Sequence, residues 1–83
     1  MTEAEQKFLT VESILDLFTP DRRAERVIRI MLGRLSLREL TDLFTMLEAV
    51  TEGKHPAPVL RERVEVILRK TATEMRAMER RGE

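Results

Sequence analysis

Gly33-Arg34-Leu35-Ser36-Leu37-Arg38-Glu39-Leu40 carries a helix stop and a helix start in immediate succession. Gly33 follows the apolar run Val27-Ile28-Arg29-Ile30-Met31-Leu32. A glycine there can take the left-handed conformation that closes a helix without a Cβ penalty. Ser36 and Glu39 have the spacing of a capping box, in which the serine oxygen accepts from the Glu39 N–H and the glutamate reaches back to the Ser36 N–H. Leu35 against Leu40 completes it as a hydrophobic staple. The stretch is therefore a tight corner between two helices.

On either side of this corner the pattern predicts four helices in all and no strands. Thr2 and Glu5 form another capping box, and Phe8, Val11, Leu15 and Phe18 follow at helical spacing, widened by Leu9 and Ile14, so a first helix is expected from about residue 3 to 18. Thr19 as N-cap, Pro20 at the first helical position and Asp21 facing the helix dipole start a second, about 20 to 32, burying Ala24, Val27, Ile28 and Met31. The third, about 37 to 51, has the broadest apolar face: Leu37, Leu40, Leu43, Phe44, Leu47 and Val50. Gly53 stops it, Pro56 holds the connection extended, and Pro58 opens a fourth helix with no breaker before Gly82. At about 24 residues that helix would reach roughly 35 Å, longer than its partners. Val59, Leu60, Val64, Ile67 and Leu68 suit a core, whereas Thr71, Ala72, Met75 and Met78 leave a thin seam with charged flanks, resembling a coiled-coil edge. The expectation is one helical domain over 1–83, with its core at about 3–68 and a projecting helix end at about 69–81.

The 83-residue chain has 42% hydrophobic residues but only three aromatics, Phe8, Phe18 and Phe44, so the core rests on Leu, Ile, Val and Met. A domain this small removes only roughly 60–65% of its unfolded surface from water, and many such domains self-associate. With no cysteine there is no disulfide framework and no thiolate for metal or catalysis. The acidic start Met1-Thr2-Glu3-Ala4-Glu5-Gln6 leads into no signal-peptide apolar region, and no apolar run reaches membrane-spanning length. A cytoplasmic protein is expected. Arginine outnumbers lysine twelve to three, which points to a GC-rich bacterial or phage source.

Fifteen basic and fifteen acidic side chains cancel, yet residues 1–18, 19–38, 39–53 and 54–83 carry −3, +4, −4 and +3. Alternating blocks suit helices that neutralise one another better than a uniform field aimed at a polyanion.

The corner could also be a DNA-reading helix-turn-helix with the third helix in the major groove. That helix presents Glu39, Asp42, Glu48 and Glu52, which would oppose phosphate binding. Aligning Gly33 with the usual turn glycine also puts Arg29, Glu39 and Asp42 where the motif wants small or apolar residues. Leu35-Ser36-Leu37-Arg38-Glu39-Leu40 is similar to the opening of the LuxR-type DNA-binding domain, whose helical part begins Leu-Ser-x-Arg-Glu. The likeness implies a DNA-binding helical unit but covers only those residues. Thr51 to Pro58 is a longer connection than that domain has, and the last helix is too long, so the match reads as convergent capping.

Arg22, Arg26 and Arg29 share one face of the second helix, with Arg23 and Arg34 nearby. They form either a contact for phosphate or an acidic partner, or a solvated face pairing with acids of the neighbouring helices. His55 is the only histidine and has no cysteine beside it. Ser36 is explained as a cap, and neither it nor Ser13 has a base nearby, so nucleophilic catalysis has no residues to use. Carboxylate pairs such as Glu62/Glu65 lack the Glu-x-x-His of di-metal bundles. Gly33, Gly53 and Gly82 stand alone and make no phosphate loop. No cofactor, metal or small-molecule substrate is expected.

Met31 belongs to the core stripe, while Met46, Met75 and Met78 lie at its margin, where flexible thioethers suit an adaptable interface. The expected function is therefore a non-catalytic protein-interaction module, an adaptor, regulator or accessory subunit that homodimerises through its last helix. The expected contacts are Ile67, Leu68, Thr71, Ala72, Met75 and Met78, with Arg69, Arg76 and Arg80 pairing to partner acids. The alternative is a nucleic-acid binder using Arg22, Arg26, Arg29 and Arg34.

Overall fold

A computed structural model describes residues 1–17 and 21–81. It contains α1 (Glu3–Leu17), α2 (Arg22–Gly33), α3 (Leu37–Thr51) and α4 (Pro58–Arg80), and no strand among the described residues. The protein is a small all-α domain with a long C-terminal helix.

Each helix begins where a side chain or a proline deals with its unpaired N–H groups. Thr2 accepts from the Glu5 N–H at 3.2 Å, and its own hydroxyl donates to the Glu5 carboxylate at 3.1 Å, so the expected reciprocal bond runs to the hydroxyl. Asp21, rather than Thr19, caps α2 by accepting from the Ala24 N–H at 2.8 Å, and the helix starts at Arg22. A carboxylate at this position is both a strong acceptor and a charge at the positive end of the dipole. Thr19 and Pro20, like Phe18, lie outside the described residues. The capping box of α3 is complete: Ser36 accepts from the Glu39 N–H at 3.1 Å and donates its own N–H to Glu39 Oε1 at 2.9 Å. Leu35 and Leu40 are both buried beside it.

The helix ends divide differently from expectation. Gly33 is the last residue of α2 and keeps helical backbone, and among the described residues the one positive-φ glycine is Gly53, at 75°. α2 ends instead through short-range bonds from the Arg34 N–H to the Met31 carbonyl and from the Leu35 N–H to the Leu32 carbonyl, each 3.1 Å. Lys7 of α1 adds its ammonium to the Gly33 carbonyl at 3.3 Å, a cation at the negative end of the dipole. At the end of α3 the Lys54 N–H reaches the Ala49 carbonyl at 2.8 Å and the Gly53 N–H reaches Val50 at 3.0 Å, the two bonds of a Schellman motif.

The helices form a ring in the order α1, α3, α4, α2, with the sequence neighbours α2 and α3 across a diagonal. Val11, Ile14 and Leu15 of α1, Leu32 and Leu35, Leu40 and Leu43 of α3, and Val64 and Ile67 of α4 make the core. Met31 is buried as expected, and Phe44, Met46, Leu47 and Leu60 pack partly buried on the core. Several expected core positions are exposed instead: Phe8 (62%), Leu9, Val27, Val50, Val59 (61%) and Leu68. Leu9 lies far round the helix from Val11 and Ile14, and burial on α1 begins only at Val11. A ring also gives each helix only two close neighbours, so an arc wider than they cover stays wet.

Charge follows the ring. The acidic α1 and α3 meet most extensively and do so through apolar side chains, while the basic α2 and α4 flank them. Arg29 of α2 bridges Glu12 of α1 and its own Glu25, and these two carboxylates, Glu12 foremost, raise the pKa of the guanidinium. Arg63 of α4 holds Asp42 of α3 through Nε and Nη2 at 3.0 and 3.1 Å, and Lys70 reaches Glu39 at 3.5 Å. The edge left over, α2 with α4, joins two basic segments and packs least of the four.

Glu39 gives this arrangement a pH dependence. The Ser36 N–H, with Lys70 and the Ser36 hydroxyl adding to it, holds its carboxyl below the ordinary value of 4.5. A carboxyl depressed in the folded state contributes stability that is present above its unfolded pKa and is lost as the pH falls through the folded one. Unfolding free energy measured by urea titration should therefore decline as the pH drops below that ordinary value. Glu39→Gln should flatten part of the decline; an unchanged acid limb in that variant would contradict the assignment.

Candidate protein-interaction surface

The weak α2–α4 edge leaves an open groove of about 570 Å³. Its α2 wall presents Val27 and Ile30, and its α4 wall Met75 and Met78; Ile30 is 45% and Met75 39% exposed. Arg26 and Arg34 stand on the α2 rim and Glu79 on the α4 rim. Arg34 reaches across to Glu74 at 3.6 Å, the ion pair that ties this end of α4 to α2. Val27 and Met75 also border a second hollow against Ala24 and Ile28, so the apolar surface continues along α2.

The residues expected to form an interface on α4 separate. Ile67 is 3% exposed and belongs to the core, so it offers no surface. Thr71, Ala72 and Met78 are half-buried, and the Thr71 hydroxyl donates to the Ile67 carbonyl at 2.9 Å. Leu68 and Met75 are exposed one heptad apart. Arg76 and Arg80 are exposed, and Arg69 lies 3.7 Å from Glu65 on its own helix. Sequence reasoning does not bring Val27, Ile30, Arg26 and Glu79 together at one surface. One signal for it is present in the sequence: from Ile30 round to Leu32 the apolar residues of α2 span about 200° of its circumference, at 100° per residue, more than one neighbouring helix covers.

The arginine face also divides. Arg29 is held by Glu12 and Glu25, and Arg34 by Glu74. Arg22, Arg23 and Arg26 are exposed and form no ion pair among the described residues. Ser13 donates to the Leu9 carbonyl at 2.9 Å, Ser36 caps α3, and His55 is exposed in the α3–α4 connection. Among the described residues no three His, Cys, Asp or Glu side chains converge as a metal site would require, and no helix is long and apolar enough to cross a membrane. No protein-family model matches the chain, and neither a curated protein nor a solved structure matches it.

Proposed function

We propose that this chain is a non-catalytic protein-interaction module that self-associates through the exposed face formed by α2 and the second half of α4. In the cell it would serve as a small cytoplasmic adaptor, regulator or accessory subunit, and its arginine-rich composition favours a bacterial or phage source. The observation that carries the reading is the apolar groove between Val27 and Ile30 on one wall and Met75 and Met78 on the other. Unbranched thioethers beside branched aliphatics give a wall that can adapt to a partner.

The test is the mass in solution. Light scattering at tens of micromolar should give a dimer, and Ile30→Glu should shift it to monomer. Ile30 is exposed, so the substitution removes no core packing and circular dichroism should be unchanged. Val59→Glu, on an exposed position of α4 away from the groove, should leave the dimer intact. A wild-type monomer under these conditions contradicts the reading.

Nucleic-acid binding is the second reading, supported by exposed Arg22, Arg23 and Arg26. It requires a salt-sensitive mobility shift of duplex DNA that Arg26→Glu abolishes. No shift at low salt removes it.

A further inference from the structure

Resting on the self-association reading, we infer that the groove pairs with the same groove of a second copy about a two-fold axis running along its length, so that Arg26 of each copy meets the partner's Glu79. The rim supplies the reason. Arg26 and Glu79 lie on opposite walls of one apolar groove, and neither forms an ion pair among the described residues, whereas Arg34 on the same rim is already paired with Glu74. An isologous contact must be complementary to itself. A two-fold axis across the groove would lay α2 on the partner's α2 and oppose arginine with arginine. An axis along the groove lays α2 over the partner's α4, opposes Arg26 with Glu79 twice, and brings Ile30 against the partner's methionines.

Charge agrees with this occupant. The formal net charge of zero sets up no long-range repulsion between copies. The second hollow, continuous across Val27 and Met75, extends the apolar surface beyond the groove itself.

The pairing has a signature that no contact within one chain can imitate. Arg26→Glu alone and Glu79→Arg alone each place like charges opposite one another at both contacts, and each should weaken self-association by roughly tenfold or more. Mixed in equal amounts, the two variants form a heterodimer with one contact restored in reversed sign and the other native. Sedimentation velocity on the full-length chains, with circular dichroism to confirm folding, should show two monomers before mixing and a dimer after it. If the single variants dimerise as tightly as wild type, or the mixture stays monomeric, the Arg26–Glu79 pairing is wrong while self-association stands. A monomeric wild type overturns both.

Discussion

Leu40→Ala is expected to remove about 3 kcal/mol of stability, within the range for leucine truncation in a tightly packed site. Leu40 is 0% exposed and lies in a core built from all four helices, so the lost methyl groups leave a cavity rather than a surface dent. It also forms half of the staple with Leu35, so the substitution loosens the corner that aims α3. Small domains hold only about 5 kcal/mol in total at the low end, and a loss of this size lowers the melting temperature by roughly 10–20 °C. Thermal and urea unfolding monitored by circular dichroism would measure it. Val50→Ala on the same helix, at an exposed position, should change stability by less than about 0.5 kcal/mol. Comparable losses in the two variants would mean that Leu40 is not at the centre of the core.

The second large effect is a difference in sign between two glycines. Gly53 has φ of 75°, with nothing within 4 Å of where a Cβ would sit, so Gly53→Ala meets no clash and its cost is purely conformational. Forcing an L-residue into that region costs about 1–2 kcal/mol and weakens both Schellman bonds at the end of α3. Gly33 is helical and equally uncrowded. Gly33→Ala should therefore stabilise by about 0.5–1 kcal/mol, because alanine has less freedom to lose on folding. Parallel denaturation curves would read both shifts, and a destabilised Gly33→Ala would show that α2 needs a glycine at its end after all.

That contrast marks how far the chain is legible. The cap at Ser36 and the prolyl start of α4 can be read because their geometry is complete within a few residues. The two glycines look alike locally and differ in the path the chain must take beyond them. After Gly33 it must deliver Leu35 to the core at once, which a tight right-handed exit and the Lys7 contact accomplish. After Gly53 the chain runs out through exposed Lys54 and His55, and a left-handed reversal is available. Apolar periodicity finds α3 and the inward face of α4 but misjudges Phe8, Val27, Val50, Val59 and Leu68. Periodicity reports which residues could face a neighbour; it does not report which neighbours exist. The sign blocks read along the chain do find partners in the Arg29–Glu12 and Arg63–Asp42 pairs. The groove stays hidden because it depends on α2 and α4 becoming adjacent, and no local pattern records that.

The placement of α2 across the ring from α3 also orders assembly of the chain. Sequence neighbours α1 and α2 pack together, as do α3 and α4, so the molecule consists of two helical hairpins joined at the Gly33–Leu40 corner. Each hairpin closes a short connection and loses little loop entropy, whereas contact of α1 with α3 requires the whole of α2 to be spanned. Low contact order within the hairpins favours fast local formation, and their union along the apolar α1–α3 seam is expected to be the slower step. On that order of events the corner would serve as the hinge on which the two halves shut.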